Sequence, residues 1–187
     1  MKRRSLLSIG ILATATLGAS GAYYQLLGQG STSKGSLSNG SDLSATAETL
    51  LGFPVGQAPY EVTLTPEKWK ERLTRTQFLI LREHRTERPF SSPLDKLWEK
   101  GTYHCAGCDL PVYSSETKYD SGTGWPSFWA PLPDAIRVAA DNKLWAPRVE
   151  VHCRRCGGHF GHVFRDGPQP TGLRHCLNGE ALNFRAA

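Results

Sequence analysis

Two Cys-x-x-Cys pairs, Cys105-Ala-Gly-Cys108 and Cys153-Arg-Arg-Cys156, constrain this chain more than any other feature. A two-residue spacer lets both thiolates of a turn reach one ion, and two such pairs supply the four ligands of a tetrahedral, all-thiolate zinc site. Gly107 within the first pair and Gly157-Gly158 after the second give the backbone the freedom a tight knuckle needs. Residues 109–152 separate the pairs, more than an ordinary zinc ribbon allows, so the ion would staple two hairpins distant in sequence. With sulfur at all four positions no coordination site stays open, which makes the ion structural. Disulfides are the competing reading, favoured by an oxidising compartment.

The chain has five cysteines, so Cys176 is left without a sequence partner. Arg174 and His175 beside it supply positive charge or donors that lower a thiol pKa, and the thiolate is the reactive form. Asn178-Gly179 carries the signal of a type I′ turn between two short runs able to pair as strands. That predicts a hairpin with Cys176 near its end, facing a cleft. A buried structural thiol is the other reading of the same residue.

Met1-Lys-Arg-Arg-Ser-Leu-Leu opens the chain with a basic cluster, and residues 5–33 carry no charge. A basic start, an apolar run and small residues around Ala19-Ser-Gly-Ala22 describe an export signal over residues 1–27. The Arg3-Arg4-x-Leu-Leu order resembles a twin-arginine signal, which carries folded proteins across a bacterial membrane and so lets zinc load before export. Residues 6–27 are also long enough to remain as a membrane anchor. Either outcome places the bulk of the protein in the periplasm or an equivalent extracytoplasmic space. Lys2, Arg3 and Arg4 account for three of the net +5 charges, and the remaining +2 is a poor footprint for nucleic-acid binding.

Residues 28–52 are rich in Gly and Ser and read as a flexible linker, leaving 53–187 as the folded domain. Thr65 followed by Pro66 and Glu67 marks a helix start, and Thr74-x-x-Gln77 fits a capping box ahead of a second helix. From Gly101 onward the pattern changes to short β-type runs at Leu110–Tyr113, Val149–His152, His159–Phe164 and Ala181–Phe184. The fold class is mainly β, with antiparallel strands and peripheral N-terminal helices.

Ser121-Gly-Thr-Gly-Trp-Pro-Ser-Phe-Trp129 is a glycine-rich loop that can hold Trp125 against a ligand or simply cover a core. Gly158-His-Phe-Gly-His-Val-Phe164 places His159 and His162 three apart, as acid–base groups, metal ligands or a satisfied polar edge. With four sulfurs already available for an ion, a second metal site is not expected.

Taken together, Gly-Thr-Tyr-His-Cys-Ala-Gly-Cys108, Tyr-Asp-Ser-Gly-Thr-Gly-Trp-Pro-Ser-Phe128, Gly-His-Phe-Gly-His-Val-Phe164, Asp-Gly-Pro168 and Arg-His-Cys-Leu-Asn178 closely resemble the B-type peptide methionine sulfoxide reductases, the MsrB family. The resemblance runs from about Thr63 to Phe184. It implies two antiparallel β-sheets with peripheral helices, and thiol-dependent reduction of the R epimer of methionine sulfoxide in oxidised proteins. Cys176 falls on the family's catalytic cysteine, and Trp125 on the aromatic residue that packs the substrate methyl group. His159, His162 and Asn178 fall on polar groups around the sulfoxide. Cys105, Cys108, Cys153 and Cys156 fall on the ligands of one structural zinc ion.

A sulfoxide sulfur becomes electrophilic once its oxygen is protonated or strongly hydrogen-bonded, so a thiolate must work beside a donor. Attack by Cys176 then leaves methionine and a cysteine sulfenic acid. Thr123 stands where many relatives carry a recycling cysteine, which points to an external reductant, a thioredoxin-like protein or a small thiol. His175 stands where tyrosine is common and Phe160 where leucine is common. Two rival readings are a zinc-stapled binding module, which gives Cys176 no task, and a cysteine hydrolase, for which no oxyanion hole is marked.

Overall fold

The computed structural model describes residue 53 and residues 59–142 and 147–187. The export signal or anchor and the linker expected over residues 1–52 lie outside the described residues. Both expected helices are present. Thr65 caps α1 (Pro66–Arg72), its side chain accepting from the Lys68 amide. Thr74 and Gln77 close a reciprocal capping box on α2 (Arg75–Glu83), each satisfying an amide that the first turn leaves without a partner. Trp69 of α1 and Phe78, Ile80 and Leu81 of α2 face inward.

Nine strands follow among the described residues: β1 (Gly101–Cys105), β2 (Pro111–Ser114), β3 (Lys118–Tyr119), β4 (Ser127–Phe128), β5 (Ile136–Asp141), β6 (Arg148–Cys153), β7 (His159–Phe164), β8 (Arg174–Leu177) and β9 (Leu182–Ala186). They form two antiparallel sheets, ordered β2-β1-β9 and β3-β4-β8-β7-β6-β5. Aromatic edges join the sheets: the Phe128 ring lies 4.9 Å from that of Tyr103 and 4.7 Å from that of Tyr113. The buried set of Tyr103, Val112, Tyr113, Phe128, Val138, Val151, Phe160 and Leu177 fills the space between them.

The hairpin expected at Asn178-Gly179 does not form. A type I′ turn needs positive φ at both central residues, and Asn178 instead sits at φ −66°, ψ 122°, ahead of a short 3₁₀ turn, Gly179–Ala181. The chain here leaves one sheet for the other: β8 lies between β4 and β7, while β9 pairs with β1. The turn is a crossover, so Cys176 sits in the middle of a six-stranded sheet rather than near a hairpin tip.

Candidate active site

The four paired cysteines converge. Cys105 and Cys108 flank the turn between β1 and β2, and Cys153 and Cys156 the turn between β6 and β7, so the cluster ties one sheet to the other. All four are buried with their sulfurs clustered as metal ligands, at 3.7 Å between Cys105 and Cys156 and 3.5 Å between Cys108 and Cys153. Zinc–sulfur bonds of about 2.3 Å imply sulfur–sulfur edges of about 3.8 Å, so the residues fit such an ion and fall well outside disulfide bonding. Helices complete the surround: a Cβ on Gly107 would stand 3.6 Å from the Trp69 ring, and Arg82 donates to the Cys156 carbonyl at 3.0 Å.

The lone cysteine belongs to a different surface. Across the six-stranded sheet Ser127 pairs with Cys176, Cys176 with His162, and His162 with Glu150. Directly paired residues share a face, so these four side chains form one row. The neighbouring row, Phe128, His175, Val163 and Val149, points the opposite way into the core. Strand alternation therefore overturns the expected help from His175. Its ring is fully buried, 3.1 Å from the Tyr113 hydroxyl, and burial pushes its pKa down to about 3. It carries no charge near the thiol at neutral pH.

Hydroxyls surround the thiol instead. Thr123 Oγ1 lies 3.8 Å from Cys176 Sγ, and Ser121 Oγ contacts both Thr123 Oγ1 at 2.9 Å and Ser127 Oγ at 2.7 Å. Cys176 is partly exposed. Burial pushes its pKa above the ordinary thiol value, against the lowering influence of Thr123, Arg174 and Ser127. Arg174, on the same face, is held by a two-point hydrogen bond to Asp166 at 2.8 and 2.7 Å.

Both histidines of the sequence pattern reach this face, their rings 5.5 Å apart. Each is backed by a carboxylate. His162 Nε2 lies 2.8 Å from Asp141 Oδ2, and His159 Nδ1 lies 2.7 Å from Glu150 Oε1. A β-bulge between Val151 and His152 sets His159 opposite His152. Burial lowers the His162 pKa although its bond to Asp141 works the other way. Burial raises the Glu150 carboxyl, but hydrogen bonds from His159 and His84 outweigh it and hold the group below its usual range.

Glu87 ties the remaining pieces together. Its two carboxylate oxygens accept from the Gly179 and Glu180 amides at 2.7 and 2.9 Å, and its backbone carbonyl accepts from Trp125 Nε1 at 3.2 Å. Asn178 is engaged at both ends of its amide, accepting from the Glu87 backbone at 2.9 Å and donating to the Phe160 carbonyl at 2.9 Å. Gly161 permits the close approach of β7 to β8, since a Cβ there would stand 2.1 Å from the Cys176 carbonyl oxygen. Asp141, Glu150 and Glu87 belong to no motif. The one sequence signal among them is the place of Glu150 in the β-type run Val149–His152, and that run does not mark it as functional.

A part-sheltered thiol flanked by hydroxyls and carboxylate-backed imidazoles on one sheet face is the layout of a thiol-dependent enzyme. Residues 73–186 match the SelR domain family. The chain is 50% identical over 125 residues to the peptide methionine sulfoxide reductase MsrB of Agrobacterium fabrum, covering 66% of this chain and 93% of the relative. It is 49% identical over 127 residues to the MsrB of Leptospira interrogans, covering 67% and 97%. With the chloroplastic peptide methionine sulfoxide reductase B1 of Oryza sativa the identity is 44% over 131 residues, covering 70% and 61%. The chain belongs to the MsrB family of methionine sulfoxide reductases.

Proposed function

We propose that the protein reduces methionine-R-sulfoxide in oxidised proteins, with Cys176 as nucleophile. The observation that carries this reading is the row Ser127, Cys176, His162, with Thr123 3.8 Å from the sulfur. Asp141 and Glu150, when ionised, only accept, so the hydrogen-bonded nitrogens His162 Nε2 and His159 Nδ1 carry protons. His162 Nδ1 and His159 Nε2 then serve the chemistry, taking the thiol proton and delivering it to the sulfoxide oxygen. The Cys176 sulfur bonds the electrophilic sulfur as the protonated oxygen leaves as water; water then attacks the Cys176 sulfur, the S–S bond breaks, and the products are methionine and Cys176 sulfenic acid, with one proton returned. Two external thiols complete the cycle, the first releasing water as a mixed disulfide forms and the second restoring the thiol. Their source is a thioredoxin-like protein or a small thiol, because Thr123 cannot resolve the sulfenic acid.

Trp125, held through its indole nitrogen, packs the substrate methyl group. Asn178 positions β8 and the crossover turn, both ends of its amide being occupied by protein groups. Zinc held by Cys105, Cys108, Cys153 and Cys156 supplies structure, and no chemical step passes through it. The leader, with Arg3-Arg4, supports work outside the cytoplasm, at a periplasmic site reached by export or held by a membrane anchor.

The test is reduction of dabsyl-methionine-R-sulfoxide by dithiothreitol, with the S epimer as control. Turnover of the R epimer that disappears in Cys176→Ser is expected, and appreciable activity in that variant refutes the assignment. Less than about half an equivalent of zinc in purified protein rejects the four-thiolate ion. An alkaline phosphatase fusion behind residues 1–45 that stays inactive rejects export.

A further inference from the structure

Glu150 Oε1 meets two imidazole nitrogens at once, Nδ1 of His159 at 2.7 Å and Nδ1 of His84 at 3.0 Å. The two rings lie 5.0 Å apart, and one donor atom from each of the three residues falls within 4.8 Å of the others. The donors come from three separate elements: the end of α2, the middle of β6 and the start of β7. Side-chain exposure is 3% for His159, 12% for Glu150 and 39% for His84, so the cluster is closed at its base and open to solvent on the His84 side.

His84 adds an independent observation. It ends α2 in the left-handed conformation, φ 55°, ψ 34°, where glycine is the usual occupant and a side chain stores strain. That backbone aims its imidazole at a carboxylate already bonded by another histidine. The histidine pattern in the sequence paired His159 with His162. The structure supplies His84 as the second donor instead.

We propose that His84, Glu150 and His159 form a second metal site, for an exchangeable divalent transition ion of the zinc type. Two imidazole nitrogens and one carboxylate oxygen make a three-ligand tetrahedral set whose fourth position takes water. Bonds of about 2.0–2.1 Å need ligand–ligand edges of about 3.3 Å, so the cluster opens by a few tenths of an ångström, which partly exposed His84 allows. Both rings coordinate through Nδ1. If neutral, each shifts its proton to Nε2, and if charged, each releases one; no electron moves. An ion here also fixes His159 as the Nε2–H tautomer, which can donate to the sulfoxide oxygen but cannot take the thiol proton, leaving that step to His162; the four cysteine ligands are not shared.

Calorimetric zinc titration and cobalt(II) absorption on the full chain, with the four-thiolate ion in place and Cys176→Ser removing the reactive thiol, test this directly. One further ion per chain is expected, with a cobalt spectrum free of thiolate charge transfer. His84→Gly suits the left-handed backbone, so its fold is kept, and it should weaken the second ion beyond the roughly tenfold to hundredfold that losing a mere supporting residue costs. His84→Asn, also tolerated in that backbone, checks the result. Metal content that stays at one ion, or a second ion bound as tightly by His84→Gly, overturns the proposal. Because the readout is stoichiometry, it stands apart from the reductase reading.

Discussion

Thr123→Cys should turn a reductant-dependent site into one that resolves itself. The hydroxyl oxygen of Thr123 lies 3.8 Å from the Cys176 sulfur, and a disulfide needs about 2.05 Å, so the two side chains must close by about 1.8 Å. The loop can supply that movement: Gly122 and Gly124 flank the position at φ 70° and 88°, and a Cβ on Gly122 meets nothing within 4 Å. The positions are 53 apart in sequence. Chain-entropy arithmetic for a loop of that size gives about 4 kcal/mol of stabilisation once the bond forms, a melting rise of roughly 10 °C or more if little strain offsets it. The assay is a single turnover without reductant. The parent should lose one thiol and take up dimedone at Cys176. The variant should lose two, take up none and melt higher until reduced. Dimedone uptake equal to the parent, with no disulfide and no shift in melting, would refute the placement of Thr123 over the nucleophile.

Burial raises the Cys176 pKa, so its alkylation by iodoacetamide should climb with pH to a midpoint above that of a free thiol, and a midpoint below it would contradict the site's electrostatics. Glu87→Gln leaves one of two buried amides without its acceptor; it should cost roughly 1–3 kcal/mol in urea unfolding and raise KM through the loosened Trp125. Gly161→Ala drives a Cβ to 2.1 Å from the Cys176 carbonyl and should cost roughly 3 kcal/mol or more, with catalytic loss larger than that of an alanine placed at exposed Gly122. Cys108→Ser should lose the four-thiolate ion in metal analysis and unfold at lower denaturant than the parent.

What the sequence revealed was local and chemically marked. Two capped helices, the strand at His159–Phe164 and four cysteines with knuckle spacing all carry their signal within a few residues, and each is found where expected. The errors arose where tertiary context decides. Asn178-Gly179 has hairpin chemistry, yet the pull of β9 toward β1 makes it a crossover. His175 adjoins Cys176 in sequence, but strand alternation puts it on the core face beside Tyr113. Glu87, Asp141 and Glu150 were invisible because a lone carboxylate in a strand or loop has no pattern until its partner, often far along the chain, is beside it.

The four-cysteine cluster and the reactive face are mechanically one object, although no ligand is shared. Cys153 ends β6 and Cys156 precedes β7 by three residues, so the knuckle sets the register of the strands that carry Glu150, His159 and His162. At about 3.3 Å per residue, Glu150 lies about 10 Å along β6 from Cys153. One residue of slip would turn every side chain of β7 to the opposite face and move His162 away from Cys176. At the register shift beside Val151/His152 one step on β6 meets two on β7, which brings His159 onto the same face as His162 despite their odd spacing. An ion held by these four cysteines, with no open coordination site, would therefore still bear on the proposed chemistry, by fixing which face of β7 meets the thiol.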